Sequence, residues 1–104
     1  MAKNAFEIHM DYNRAIRQAD LLERTANEMR NSAEDELQDC MSEISYNWTG
    51  ENADAYLAKC SQLRASIVNT AHKLETTAET IRKIARNTYN AEMRALELAK
   101  TRKY

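Results

Sequence analysis

The chain has 104 residues, with 15 basic and 16 acidic side chains and a net charge of −1. No stretch approaches the run of about 18 apolar residues that a membrane-spanning helix needs. The opening residues Met1-Ala2-Lys3-Asn4-Ala5-Phe6-Glu7 lack the apolar core of a cleavable signal peptide, so the expectation is a chain made in the cytoplasm without a cleaved leader. Proline is absent, Gly50 is the only glycine, and there are 16 alanines. Such a composition favours helix almost everywhere. Leu, Ile, Val and Phe are sparse, which in a highly charged chain signals disorder. Here the charge is balanced and the apolar residues are periodic, so a thin, alanine-rich helical seam is expected instead.

The first helix is expected over about 11–44. Its stripe runs Tyr12, Ala15, Ala19, Leu22, Ala26, Met29, Ala33, Leu37, Cys40 and Ile44, alternating steps of three and four with one extra step between Met29 and Leu37. A turn is expected over about 45–51. It contains the only Trp and the only Gly, in Trp48-Thr49-Gly50. Gly permits the left-handed backbone that ends a helix, and Thr49 or Asn52 can cap the next one. The second helix is expected over about 52–99, with a stripe through Ala53, Tyr56, Cys60, Leu63, Ile67, Ala71, Leu74, Ala78, Ile81, Ala85 and Thr88, weakening at Ala95 and Ala99. Leu57, Val68, Ile84 and Leu96 widen this face enough for two contacts, one within the hairpin and one with another chain. The termini are expected to fray.

These elements define an all-α, two-helix antiparallel hairpin. Residues 1–50 carry 5 basic and 10 acidic side chains, and residues 51–104 carry 10 basic and 6 acidic, so an acidic arm folds against a basic one. Surface ion pairs contribute little energy each and act mainly on register. Two helices cannot enclose a core alone, so an oligomer is expected.

A helical, proline-free chain of this length with Trp48-x-Gly50 at its midpoint resembles the WXG-100 family, the ESAT-6-like proteins of type VII secretion. The resemblance covers the whole chain. It implies dimerisation into an antiparallel four-helix bundle and secretion without a cleaved signal peptide. It implies a role as a small substrate, or as a co-secreted carrier of a larger effector, that meets the secretion machinery. The side chains expected at a homodimer or heterodimer interface with a related hairpin are Leu22, Met29, Leu37, Leu63, Ile67 and Leu74, and Trp48, Thr49 and Gly50 form the turn and recognition element. Family members or their partners often carry a C-terminal Tyr followed four residues later by Asp or Glu. Here Met93 stands four residues after Tyr89 and Glu92 comes one step early, so a partner supplies the signal, or Tyr89 and Glu92 serve as a degenerate one, or the protein stays inside the cell. The rival reading is an intracellular helical adaptor or nucleic-acid-associated coiled coil.

Other residues allow bland readings. Cys40 and Cys60 are equidistant from Gly50 and both fall on their stripes, so they are expected to face one another. A disulfide needs Cα atoms within about 7 Å, near the limit for packed helices. Two buried thiols or a disulfide formed after export both remain open. Two cysteines without further ligands exclude a zinc site. His9 and His72 are not expected to pair, no constellation suggests an enzyme, and no metal or other cofactor is expected. Asn47-Trp48-Thr49 fits a glycosylation sequon, but Asn47 more simply supports the turn. The basic segment from Arg82 onward reads as a charged helix face and polar tail, so nucleic acid is not expected and membrane contact is only weakly supported.

Overall fold

The computed structural model describes residues 3–102, which are helical throughout apart from their ends and one turn, with no strand among the described residues. The first arm comprises α1 (Ala5–Asn31), a π-helical turn (Ser32–Leu37) and α2 (Gln38–Asn47). The second arm is one continuous helix, α3 (Glu51–Thr101). The first arm begins earlier than the expected residue 11. Asn4 explains this: its side-chain oxygen accepts a hydrogen bond from the Glu7 backbone N–H at 2.8 Å and caps α1. One turn later Ile8 is 2% exposed, so burial as well as capping holds the start of the helix.

The chain packs as two compact units. One joins the first arm up to Leu22 with the second arm from Thr76, and the other is Glu23–Glu75. The Glu23–Glu75 unit is a helical hairpin closed by the turn at Gly50. Its arms run antiparallel, as the pairs Arg30–Glu75 and Glu34–Arg64 require, the latter at 3.0 Å. In the other unit Asp20 meets Arg82 at 2.8 Å, and Lys3 bridges Asp11 at 2.7 Å and Glu92 at 3.1 Å, again between antiparallel segments.

Alanine dominates the buried positions of both units. Ala19, Ala26 and Ala33 on the first arm, and Ala71, Ala78 and Ala85 on the second, recur every seventh residue and are almost fully buried. A methyl side chain lets helix axes approach toward the short end of the usual range of about 8–10 Å. Around these alanines lie half-covered larger residues: Met29, Leu37, Met41, Ile67 and Leu74 in one unit, Tyr12, Ile16, Leu22 and Ile81 in the other.

The stripes expected from regular α-helical spacing are displaced at specific places. Continued past Ala33, α-helical geometry carries Cys40 into the seam. The π turn has more residues per turn, which sets the following face back by about one residue. Met41 is therefore half-buried and Cys40 is exposed. On α3, Leu57 rather than Tyr56, Arg64 rather than Leu63, Tyr89 rather than Thr88, and Leu96 rather than Ala95 are the partly covered residues. The apolar face of α3 is broader than one packing contact. The seam takes one edge and leaves the other in solvent.

Two outcomes follow from this packing. Ala71→Leu forces a branched side chain into a fully buried position and should destabilise the fold by about 1–3 kcal/mol in urea denaturation. The Glu75 carboxyl accepts two hydrogen bonds from the Arg30 guanidinium, and these lower its pKa below the ordinary 4.5. The stabilisation from a depressed carboxyl is complete above the unfolded value and is lost as pH falls through the folded one. Glu75→Gln should therefore flatten the loss of stability below pH 4.5, as read from urea midpoints across an acid series.

Candidate partner-binding surface

Among the described residues the turn is the one internal place where the helical backbone stops. Trp48 leaves the helix with φ −134° and ψ 121°, while its N–H still donates to the Ile44 carbonyl at 2.9 Å. The Asn47 side-chain amide donates to the Glu43 carbonyl at 3.0 Å, so Asn47 ties off the end of α2. Gly50 has φ 116°, a conformation that L side chains rarely adopt, and its carbonyl accepts the Asp54 N–H at 3.1 Å to start α3. A Cβ built on Gly50 meets nothing within 4 Å, so the requirement for glycine is one of backbone conformation and not of space.

Trp48 is 46% exposed, and its ring packs against Tyr56 with centroids 6.0 Å apart and planes tilted by 50°. This is a favourable aromatic geometry that leaves nearly half of the Trp48 surface in solvent. Tyr46 is almost wholly exposed. From Asn31 to Ala58 the chain carries Glu34, Asp35, Glu36, Asp39, Glu43, Glu51 and Asp54 and no Lys or Arg. The aromatic residues of the turn thus sit in an acidic stretch.

The six residues expected at an interface divide. Leu22, Met29, Leu37, Ile67 and Leu74 are half-covered by their own chain, whereas Leu63 is 53% exposed. Exposed apolar residues of α3 share one heptad position with Leu63: Tyr56 in the Glu23–Glu75 unit, and Ile84 and Leu98 in the other unit. Ile84, at 59% exposed, also borders a cavity of about 250 Å³ walled by Ile8, Tyr12, Ile81 and Tyr89. Phe6 and Leu21 are exposed on the first arm. A heptad count on α3 alone marks Tyr56, Ile84 and Leu98. Tyr56 falls on the expected stripe and Ile84 on the wider face expected to serve a second contact, whereas Leu98 lies beyond both.

Tyr89 and Glu92 both engage the first arm. The Tyr89 ring packs on His9 at 5.2 Å and Tyr12 at 5.1 Å, its hydroxyl lies 3.4 Å from His9 Nε2, and Glu92 pairs with Lys3. Cys40 and Cys60 are free thiols, the first exposed and the second half-buried, so they do not face each other as two seam residues. Among the described residues no group of three or more His, Cys, Asp and Glu could hold a metal ion, and no helix is long and apolar enough to cross a membrane.

No family model, curated protein or solved structure matches this chain.

Gly50→Ala should lower stability by about 1 kcal/mol through backbone strain while leaving helix content unchanged by circular dichroism.

Proposed function

We propose that the chain is a WXG-100-type protein of type VII secretion, acting by protein binding as a small substrate or as a co-secreted carrier of a larger effector. Its partner is a second helical hairpin, either another copy or a related chain. One observation carries the binding part of this reading: large apolar residues recur at a single heptad position of α3 and stay in solvent, Tyr56 and Leu63 in one unit and Ile84 and Leu98 in the other. A seam of this spacing is what a helical partner covers. Thr70, Thr77 and Ala91 occupy the same heptad position between them, so the exposed apolar edge is two stretches, Tyr56 with Leu63 and Ile84 with Leu98.

The secretion part rests on Trp48-Thr49-Gly50 at the centre of a proline-free helical chain. The turn geometry supports it. Gly50 is there for its backbone, and Trp48 keeps nearly half of its surface in solvent for recognition. Because Tyr89 and Glu92 are engaged by the first arm, a partner is the simpler source of a tyrosine-based export signal.

Leu63 and Ile84 are exposed in the single chain, so Leu63→Glu and Ile84→Glu should leave its helicity intact. Each removes roughly 2 kcal/mol of apolar burial from a partnered state and should weaken association at least about tenfold. Sedimentation equilibrium of the wild type and both variants measures this, and unchanged association in both would refute α3 as the partner face. For secretion, immunoblots of cell and culture-medium fractions from the native host provide the test. Protein confined to cells with the secretion system active would overturn the export reading and favour the intracellular adaptor.

A further inference from the structure

We propose that Cys40 is a thiol–disulfide exchange site and that the π turn lets it close onto Cys60, trapping a second register of the first arm. Three observations meet here. Cys40 is exposed on α2, just beyond the π turn, and is open to a small disulfide in solution. Cys60 lies half-buried on α3, equidistant from Gly50 on the other side of the turn. The π turn at Ser32–Leu37 is the only departure from α-helical geometry within the described helices, and it is what places Met41 rather than Cys40 in the seam.

A π turn holds about one residue more than the α-helical path it replaces. Relaxing it to α geometry turns the following segment by about 100°, one residue step of the helix. That step takes Met41 out of the seam and brings Cys40 in, on the side that faces Cys60. The rotation exchanges Met41 for Cys40 and also turns half-buried Ile44 outward and Glu43 toward the seam, and the covalent bond holds the chain in that register against this loss of apolar cover. The α2 segment has no fully buried residue to resist the rotation.

The chemistry is balanced with a small-molecule disulfide such as oxidised glutathione as oxidant. The Cys40 thiolate attacks one sulfur of the disulfide, forming a mixed disulfide and releasing one glutathione thiolate. After rotation, the Cys60 thiolate attacks the Cys40 sulfur, forming the Cys40–Cys60 bond and releasing the second. The two protein thiols lose two electrons to the glutathione disulfide as its S–S bond breaks, and the two glutathione thiolates released take up the two protons. Exposure fixes the order, with Cys40 reacting first and Cys60 resolving. Neither step requires a partner chain, so the inference stands or falls separately from the proposed function.

The experiment treats the full chain with oxidised glutathione and follows intact mass without reductant. The expected course is a transient adduct carrying one glutathione, then a product lighter than the starting protein by two hydrogens. Cys60→Ser should stop at the adduct, and Cys40→Ser should lose most of the reactivity. Met41→Cys combined with Cys40→Ser places a thiol where the π register already faces the seam. It should close onto Cys60 several-fold faster than the wild type once the mixed disulfide has formed. A wild-type protein that accumulates only the adduct overturns the closure. A Met41 variant that closes no faster than wild type overturns the register change. Amide hydrogen exchange over residues 32–37 gives an independent reading. Oxidation should alter protection there, and an unchanged pattern would refute relaxation of the π turn even if a disulfide forms.

Discussion

The structure depends on helices packing through alanine. With almost nothing larger than a methyl group at the fully buried positions, the arms gain close approach and many weak contacts, but they bury little apolar area per residue. Among the described residues Ile8 is the one large side chain that is fully buried. A hydrophobic effect of about 25 cal/mol per Å² acting on so thin a seam leaves limited stability to offset chain entropy. The rest of the architecture goes with that shortage: ion pairs that set register and a broad apolar face on α3 that is only half used. Substituting larger residues at the alanines would not remedy it, since the same close approach leaves no room for them.

The ion pairs act differently from the alanines. In the Glu23–Glu75 unit Arg30, just before the π turn, pairs with Glu75, and Glu34, within it, pairs with Arg64; Asp20–Arg82 and the Lys3 bridge lie in the other unit. Alanines at a repeat of seven fit equally well if one arm slides by a heptad. Charged pairs do not, because a slide separates Arg30 from Glu75 and leaves carboxylates facing each other. Their value is in discrimination between registers more than in energy. Arg64 shows how far this goes: it occupies a seam position that an apolar residue would fill, lays its stem along the seam and carries its charge to Glu34.

Much of the architecture was legible in the residues. Absent prolines, abundant alanine and a central Gly50 predict helix, turn, helix, and Ala19, Ala26, Ala33, Ala71, Ala78 and Ala85 were all on the expected stripes and are all buried. The errors have a common source. Regular α-helical spacing cannot reveal a π turn, whose only trace was the extra step between Met29 and Leu37, and so Cys40 was put where Met41 lies. On α3 the pattern of apolar residues does not say which edge is covered, and Leu63 was merged with seam residues such as Ile67 and Leu74. The early start of α1 was missed because Asn4 was read as part of a fraying end and not as a cap.

The position of the turn also bears on how the chain reaches this state. Contacts near Gly50 close short loops, while those of the unit that joins Lys3 to Glu92 close nearly the whole chain, and loop-closure entropy rises with length. Assembly of a single chain is therefore favoured as a zipper that starts at the glycine and runs outward. With no proline, it meets no slow peptide isomerisation on the way. The same ordering makes the far end the first to open in thermal fluctuations. The aromatic contacts of Tyr89 with His9 and Tyr12 are thus the last fastened and the first released.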